Sequence, residues 1–396
     1  MIDLLPPQPT HNANTSTLPP QTTMCTGFEQ MTKDGSTFLL LQQQVAQAME
    51  LVDHVANANH HNFGVQVSGP HGIGKSAVGL LAYLTCVARG LPAVYIPNAS
   101  LWFEAAGHGS GLFFMEVCWQ QNADLIVQQP YLRRAFWRWL TGQTVTENGA
   151  IGALRLIRHS LLHHRRSGVC PNGMTTGMAV IVDEAQHITR AIEGGAAEWI
   201  TRAFQDFHPM FIASDHARMD ATMVGTGRLR LVYPLGDADC RLLLRARSTP
   251  TFVREPRLRR VVARITGGVL GSMVSCADFI VKHPMLPIAE AADKLKKRQR
   301  GLLRAACEAW LASQPALDVE VRLLSPFGRV RLNEVAGLYD AGVVCCRKGM
   351  GIHFTSSFAA SILYRMLSDV LGEPQLRQLI RNDLYRFLVR SPPVEP

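Results

Sequence analysis

Residues 63–76 read Phe63-Gly64-Val65-Gln66-Val67-Ser68-Gly69-Pro70-His71-Gly72-Ile73-Gly74-Lys75-Ser76, and this stretch decides the fold. The short run Phe63–Ser68 predicts a strand. The next eight residues meet the pattern GxxxxGK(S/T), a loop whose successive N–H groups cup phosphates. Glycine at positions 69, 72 and 74 permits backbone torsions and close approach that a side chain would block. Ala77 to Arg89 is apolar enough for a mostly buried helix, whose free N–H groups and dipole would face negative charge. Gly69, Pro70, His71, Gly72, Ile73, Gly74, Lys75 and Ser76 are therefore the candidate phosphate-binding set. Lys75 would reach the β- and γ-phosphates, and the Ser76 hydroxyl would sit on magnesium.

Outward from this loop, the pattern is that of an α/β protein with a P-loop parallel sheet. Before it, Leu41, Val45, Ala48, Met49, Val52, Val55 and Ala56 recur at spacings of three and four, which predicts an amphipathic helix over 38–58. After it, Leu91–Pro97 predicts a second strand, Met178–Val182 a third, Pro209–Ala213 a fourth and Leu229–Tyr233 a fifth. A helix is expected at Ala196–Phe207. The long gap at 98–174 reads as a helical insertion, with candidate helices at Leu112–Gln120, Tyr131–Leu140 and Ile151–His164.

The third strand ends in Asp183-Glu184. A carboxylate at the C-terminal end of a parallel strand is where a phosphate site needs one. Asp183 would bind the magnesium (Mg2+), and Glu184 would polarise an attacking water. The plainer reading is that the pair caps the next helix. Ser214, at the end of the fourth strand, would orient the γ-phosphate or the water, or serve as another cap. Arg228 and Arg230, at the fifth strand, would neutralise charge on the γ-phosphate in their own subunit or a neighbour's, or be ordinary surface arginines.

The organisation expected is a polar, Pro-rich tail at 1–35, a phosphate-loop domain at 36–250, a helical lid at 251–315, a winged-helix-like unit at 316–367, and a C-terminal helix and tail at 368–396. In the fourth of these, Val319–Leu324 reads as a strand, Asn333–Tyr339 as a short helix, and Val343–Cys346 with Ile352–Phe354 as a hairpin. The lid contains a long helix over 289–314, weakened at Gly301. It carries the basic stretch Lys294, Lys296, Lys297, Arg298 and Arg300.

The formal charge is +9 and the pI about 9.3, which tilts partners toward nucleic acid or nucleotides. A protein partner or a second copy of the chain stays open. Nine cysteines without a CxxC pair give no signal for zinc and suit reduced thiols. No signal peptide or run of apolar residues long enough for a membrane span is seen. An intracellular setting, cytoplasm or nucleus, is expected.

The loop, Asp183-Glu184, Ser214 and Thr266-Gly267-Gly268 together resemble the AAA-type and STAND-type ATPases. That resemblance covers about residues 60–365. It implies ATP with magnesium as ligands, Asp183 on the metal, Glu184 as catalytic base, Ser214 as sensor, and a winged-helix unit after the lid. Tyr95-Ile96-Pro97, Asp183-Glu184-Ala185-Gln186 and Leu338–Val343 also resemble the NTPase part of Crinkler effectors and of trypanosomal retrotransposon-hot-spot proteins. A restriction-type nuclease domain is often joined to that NTPase; no room for one after residue 367 and no PD…(D/E)xK spacing is seen, so a nuclease is not expected.

Three functions fit the sequence. The first is an ATPase driving a switch or remodelling a protein or nucleic acid. The second is a nucleic-acid-binding module with ATP as a conformational ligand. The third, a small-molecule kinase, is disfavoured because Glu184 beside Asp183 suits activation of water.

Overall fold

Five short strands form the sheet that positions everything else. They are β1 (Val65–Ser68), β2 (Ala93–Ile96), β3 (Ala179–Val182), β4 (His208–Ala213) and β5 (Arg228–Leu231), in the order β2-β3-β4-β1-β5. The β1–β4, β2–β3 and β3–β4 pairs are parallel, with Val65 opposite Met210, Ala93 opposite Ala179 and Ala179 opposite His208. The computed structural model describes residues 41–56, 65–89, 91, 93–100, 117–123, 127, 179–187, 208–213, 228–247, 255–313, 318–325, 330–347 and 351–390. Two compact units divide the chain: 1–68 with 75–230, and 69–74 with 231–396.

In the first unit the sheet is a parallel α/β sheet flanked by helices, of the kind P-loop NTPases use. The strands Ala-Val-Tyr-Ile and Ala-Val-Ile-Val are buried at every position. A strand apolar on both sides must be covered on both faces, which is the habit of parallel sheets. Helix α1 (Gln42–Ala56) packs on α2 (Lys75–Ala88), burying Ala48, Leu51 and Val52. In turn α2 lies close on β4. A Cβ at Gly79 would come within 2.1 Å of the Ile212 side chain.

Strand β2 ends the sheet on one side, and side chains take up its outer hydrogen bonds. The Gln121 amide accepts from Tyr95 N–H at 2.6 Å and donates to Tyr95 O at 2.7 Å. The Asn122 amide does the same for Ala93, at 3.2 and 2.9 Å. Both amides come from the helical residues 117–123, all that is described of the expected helix near 112–120. The helices expected at Tyr131–Leu140, Ile151–His164 and Ala196–Phe207 lie outside the described residues.

The second unit is mostly helical: α3 (Asp237–Arg247), α4 (Pro256–Thr266), α5 (Leu270–Lys282), α6 (Ile288–Ser313), α7 (Asp318–Leu324), α8 (Ala336–Asp340), α9 (Ser357–Leu371) and α10 (Glu373–Arg390). A hairpin of β6 (Val344–Arg347) and β7 (Gly351–Phe354) pairs Val344 with Phe354. Its core gathers Leu303, Cys307 and Trp310 of α6 with Leu338, Val344 and Leu363. The long helix runs unbroken through Gly301.

One element differs from the sequence reading. The strand expected at Val319–Leu324 is the helix α7. Its seven residues alternate well enough for either period. Helix-specific terms decide: Asp318 and Glu320 lie in the first turn, where the dipole favours negative charge. Arg322 bonds Asp318 one turn back at 3.1 Å and Glu334 at 2.8 Å.

Candidate functional site

The chain leaves β1 at Ser68, turns through 69–74, and enters α2 at Lys75. This is the strand–loop–helix order that the phosphate-loop pattern requires. Gly72 and Gly74 have φ of 73° and 105°, left-handed values that a side chain would resist. Ile73 is fully buried, and its N–H bonds back to Pro70 O at 3.2 Å, closing the turn.

The first turn of α2 meets the end of β3. Asp183 N–H donates to Ile96 O at 2.8 Å, and Ala99 N–H donates to Asp183 O at 3.0 Å, so the backbone at Asp183 is tied to the second strand's exit. Its carboxyl accepts from the Glu184 N–H at 2.9 Å, with the Tyr95 hydroxyl 3.5 Å away. The Ser76 hydroxyl also bonds this carboxyl, and the Lys75 ammonium lies near enough to lower its pKa. Lys75 itself is only 5% exposed. A lysine kept this deep beside an acid is unlike a solvated loop lysine.

Burial is the largest influence on Asp183. It pushes the carboxyl up to about 7, and the neighbouring Glu184 charge adds to the rise, while Ser76, the backbone bond and Lys75 oppose it. The sign of the consequence follows from linkage. With a folded pKa of about 7 above the ordinary 3.8, the folded chain keeps a proton that the unfolded chain has lost. Stability from this group is full below the ordinary value and drains away as pH climbs to about 7. In metal-free buffer, urea midpoints of the wild type are expected to fall as pH rises from about 4 to about 7, the window between the ordinary and the folded pKa. Asp183→Asn, which cannot ionise, should show a smaller fall. An identical fall in both proteins would remove Asp183 as its source.

Glu184 has φ 53°, and it is the one non-glycine residue with positive φ among the described residues. Such backbone costs energy, and it collects at functional sites. Two things hold it there. Ala185 N–H donates to Ile212 O at 2.9 Å, and the Gln186 side-chain amide donates to the Glu184 carboxylate. Glu184 is half-buried and Asp183 fully so. One acid is therefore set into the protein and its neighbour is turned on a strained hinge toward partial exposure.

Magnesium takes hard oxygen ligands, keeps several waters and uses few protein groups beside substrate phosphates. One buried carboxylate joined to one hydroxyl fits that habit. Among the described residues there is no group of three or more His, Cys, Asp or Glu side chains for a protein-only metal cage.

The structure thus brings Lys75, Ser76, Asp183 and Glu184 together. Ser214 lies outside the described residues. Arg228 and Arg230 fall on β5, which starts one residue earlier than expected, and only their backbone is described. Two contributors carried no sequence signal as to their role. Gln186 anchors the Glu184 carboxylate, and Tyr95 reaches Asp183 across 88 residues of chain.

Within the second unit, the loop 69–74 has its own partners. His71 N–H donates to Asp340 O at 3.1 Å, and Gly72 O accepts from Gly271 N–H at 2.6 Å. A Cβ at Gly271 would sit 3.0 Å from Gly72 Cα. The glycine at 271 is what lets the start of α5 come so near.

No family model matches this chain, and no curated protein does. Solved structures give remote likenesses. An ORC2 protein of Aeropyrum pernix, in ADPNP–ADP complexes, is 14% identical, with a TM-score of 0.37, over 82% of this chain and 94% of that one. PCH-2 of C. elegans is 11% identical, with a TM-score of 0.25, over 65% of this chain and 67% of that one.

Proposed function

We propose that this chain is a magnesium-dependent ATPase of the AAA or STAND kind, in which hydrolysis switches the conformation of the segment after residue 250. In that reading 251–315 is the lid, and 316–367 the adaptor toward a macromolecular partner. One observation carries it: the buried lysine and the serine that close GxxxxGK(S/T) at the start of a helix, joined to a buried aspartate at the end of a parallel strand.

The roles follow from the chemistry of each side chain. The loop's N–H groups hold the phosphates. Lys75 places its ammonium against the β- and γ-phosphate oxygens. Ser76 and Asp183 hold the cation, which supplies neutralising charge to those oxygens when bound. Glu184 accepts a proton from the attacking water, with Gln186 fixing its carboxylate. Ser214 acts as sensor of the γ-phosphate, and Arg228 or Arg230 supplies the positive charge that the transferring phosphoryl group calls for.

The test is phosphate release from ATP by the full chain, in magnesium and again in excess EDTA, beside a titration with a fluorescent ATP analogue. Saturable binding and release that EDTA abolishes are expected. A protein that neither binds the analogue nor releases phosphate with magnesium present would end this reading. Transfer of the phosphoryl group to a small acceptor instead of water would redirect it to a kinase.

A further inference from the structure

The chain's positive charge is concentrated. Residues 256–313 hold eleven basic and four acidic side chains, most of the net +9. They form α4, α5 and α6, and α4 packs on α6.

Each of these two helices divides cleanly. On α4, Leu258, Val262 and Ile265 are buried, whereas Arg257, Arg260 and Arg264 are exposed. On α6, Ala291, Leu295, Leu303, Cys307 and Trp310 are buried, whereas Lys294, Lys297, Arg298, Arg300 and Arg304 are exposed. Arg257, Arg260 and Arg264 repeat at i, i+3, i+7, and so do Lys297, Arg300 and Arg304. Each series is a stripe along one side of its helix, about 10 Å long.

Few of these charges are answered. Lys294 pairs with Glu290, Lys296 with Asp293 and Arg304 with Glu308, all exposed pairs one turn apart. Such pairs are weak and reopen at little cost. Arg257, Arg260, Arg264, Lys297, Arg298 and Arg300 make no ion pair among the described residues. In the middle of the α6 stripe, Gly301 leaves the helix bare, and a Cβ there would meet nothing within 4 Å.

We propose that the exposed basic faces of α4 and α6 bind the phosphodiester backbone of a nucleic acid, without reading its sequence. Charge selects this partner over a protein. A protein interface needs an apolar centre, and Leu302 is the one large apolar side chain exposed on these two helices among the described residues. Repeated arginine and lysine at helical spacing suit a chain of evenly spaced phosphates. Such binding needs no turnover at the nucleotide loop.

The test uses the full chain without ATP and measures anisotropy of labelled DNA and RNA of mixed sequence, from about 50 to 300 mM salt. Binding that weakens linearly in log salt is expected. Replacing Arg260, Lys297 and Arg300 together by Ala should lower affinity at least about tenfold near 100 mM salt and reduce the salt slope by about one per cation removed. The thermal melt and any phosphate release should stay as in the wild type. No binding by the wild type would overturn the proposal. So would unchanged affinity and slope in the triple variant, or binding to phosphatidylserine vesicles without binding to nucleic acid.

Discussion

Glu184→Gln is expected to keep nucleotide affinity within about a factor of two and to lose turnover by about 10²–10⁴-fold, the usual worth of a positioned general base. The two side chains have the same shape, so the change removes one proton acceptor and little volume. Glu184 sits half-buried beside Asp183, on backbone at φ 53°, with its carboxylate held by Gln186. Affinity is expected to survive because, in the proposed reading, the loop amides, Lys75 and Ser76 grip the phosphates. Initial rates of phosphate release and titration with the fluorescent analogue would separate the two effects. Turnover equal to that of the wild type would strip Glu184 of its role while leaving the loop's intact.

Gly267→Ala has the largest expected effect on folding. Gly267 ends α4 at φ 59°, and its N–H caps Ala263 O at 2.9 Å. A left-handed residue with a Cβ is costly on its own. Here the added carbon would also lie 1.9 Å from Thr355 O. Thr355 is poorly placed to yield. Its hydroxyl donates to Gly342 O and Val343 O, and its N–H donates to Val343 O, all at 3.0–3.1 Å. A loss of about 3 kcal/mol or more is expected, because strain and a backbone clash act together. Urea unfolding followed by tryptophan fluorescence would read it, since Trp310 is buried in the second unit's core. Gly301→Ala is the control, in open space on a helix, where alanine should raise stability by about 0.5–1 kcal/mol. Equal midpoints for both variants would contradict the contact at Thr355.

The parts of this chain that could be read from its sequence are those whose cause is local. Val65–Ser68, Ala93–Ile96 and Ala179–Val182 are short β-prone stretches closed by turn residues or by a carboxylate, so their type followed from neighbours, while their bounds fell one or two residues inside those expected. The loop 69–76 and Asp183-Glu184 stood out because phosphate binding, the role proposed for them, would call for those residue types at those spacings. Asp318–Leu324 was misread because seven residues fit two periods, and one partner that holds the helix, Glu334 on Arg322, lies outside the segment. Contacts such as Tyr95 with Asp183, Gln121 with Tyr95, or His71 with Asp340 leave no periodic mark. Each joins residues far apart in the chain, and only folding brings them to one place.

The amides of Gln121 and Asn122 also bear on how the molecule lives among its copies. A sheet's outermost strand offers a stray strand a ready template, and proteins that leave it bare tend to clump. Strand β2 cannot defend itself with charges, because all four of its side chains are interior. Two borrowed carboxamides impersonate the missing neighbour instead, so the rim at Ala93 and Tyr95 has nothing left to offer a passing chain.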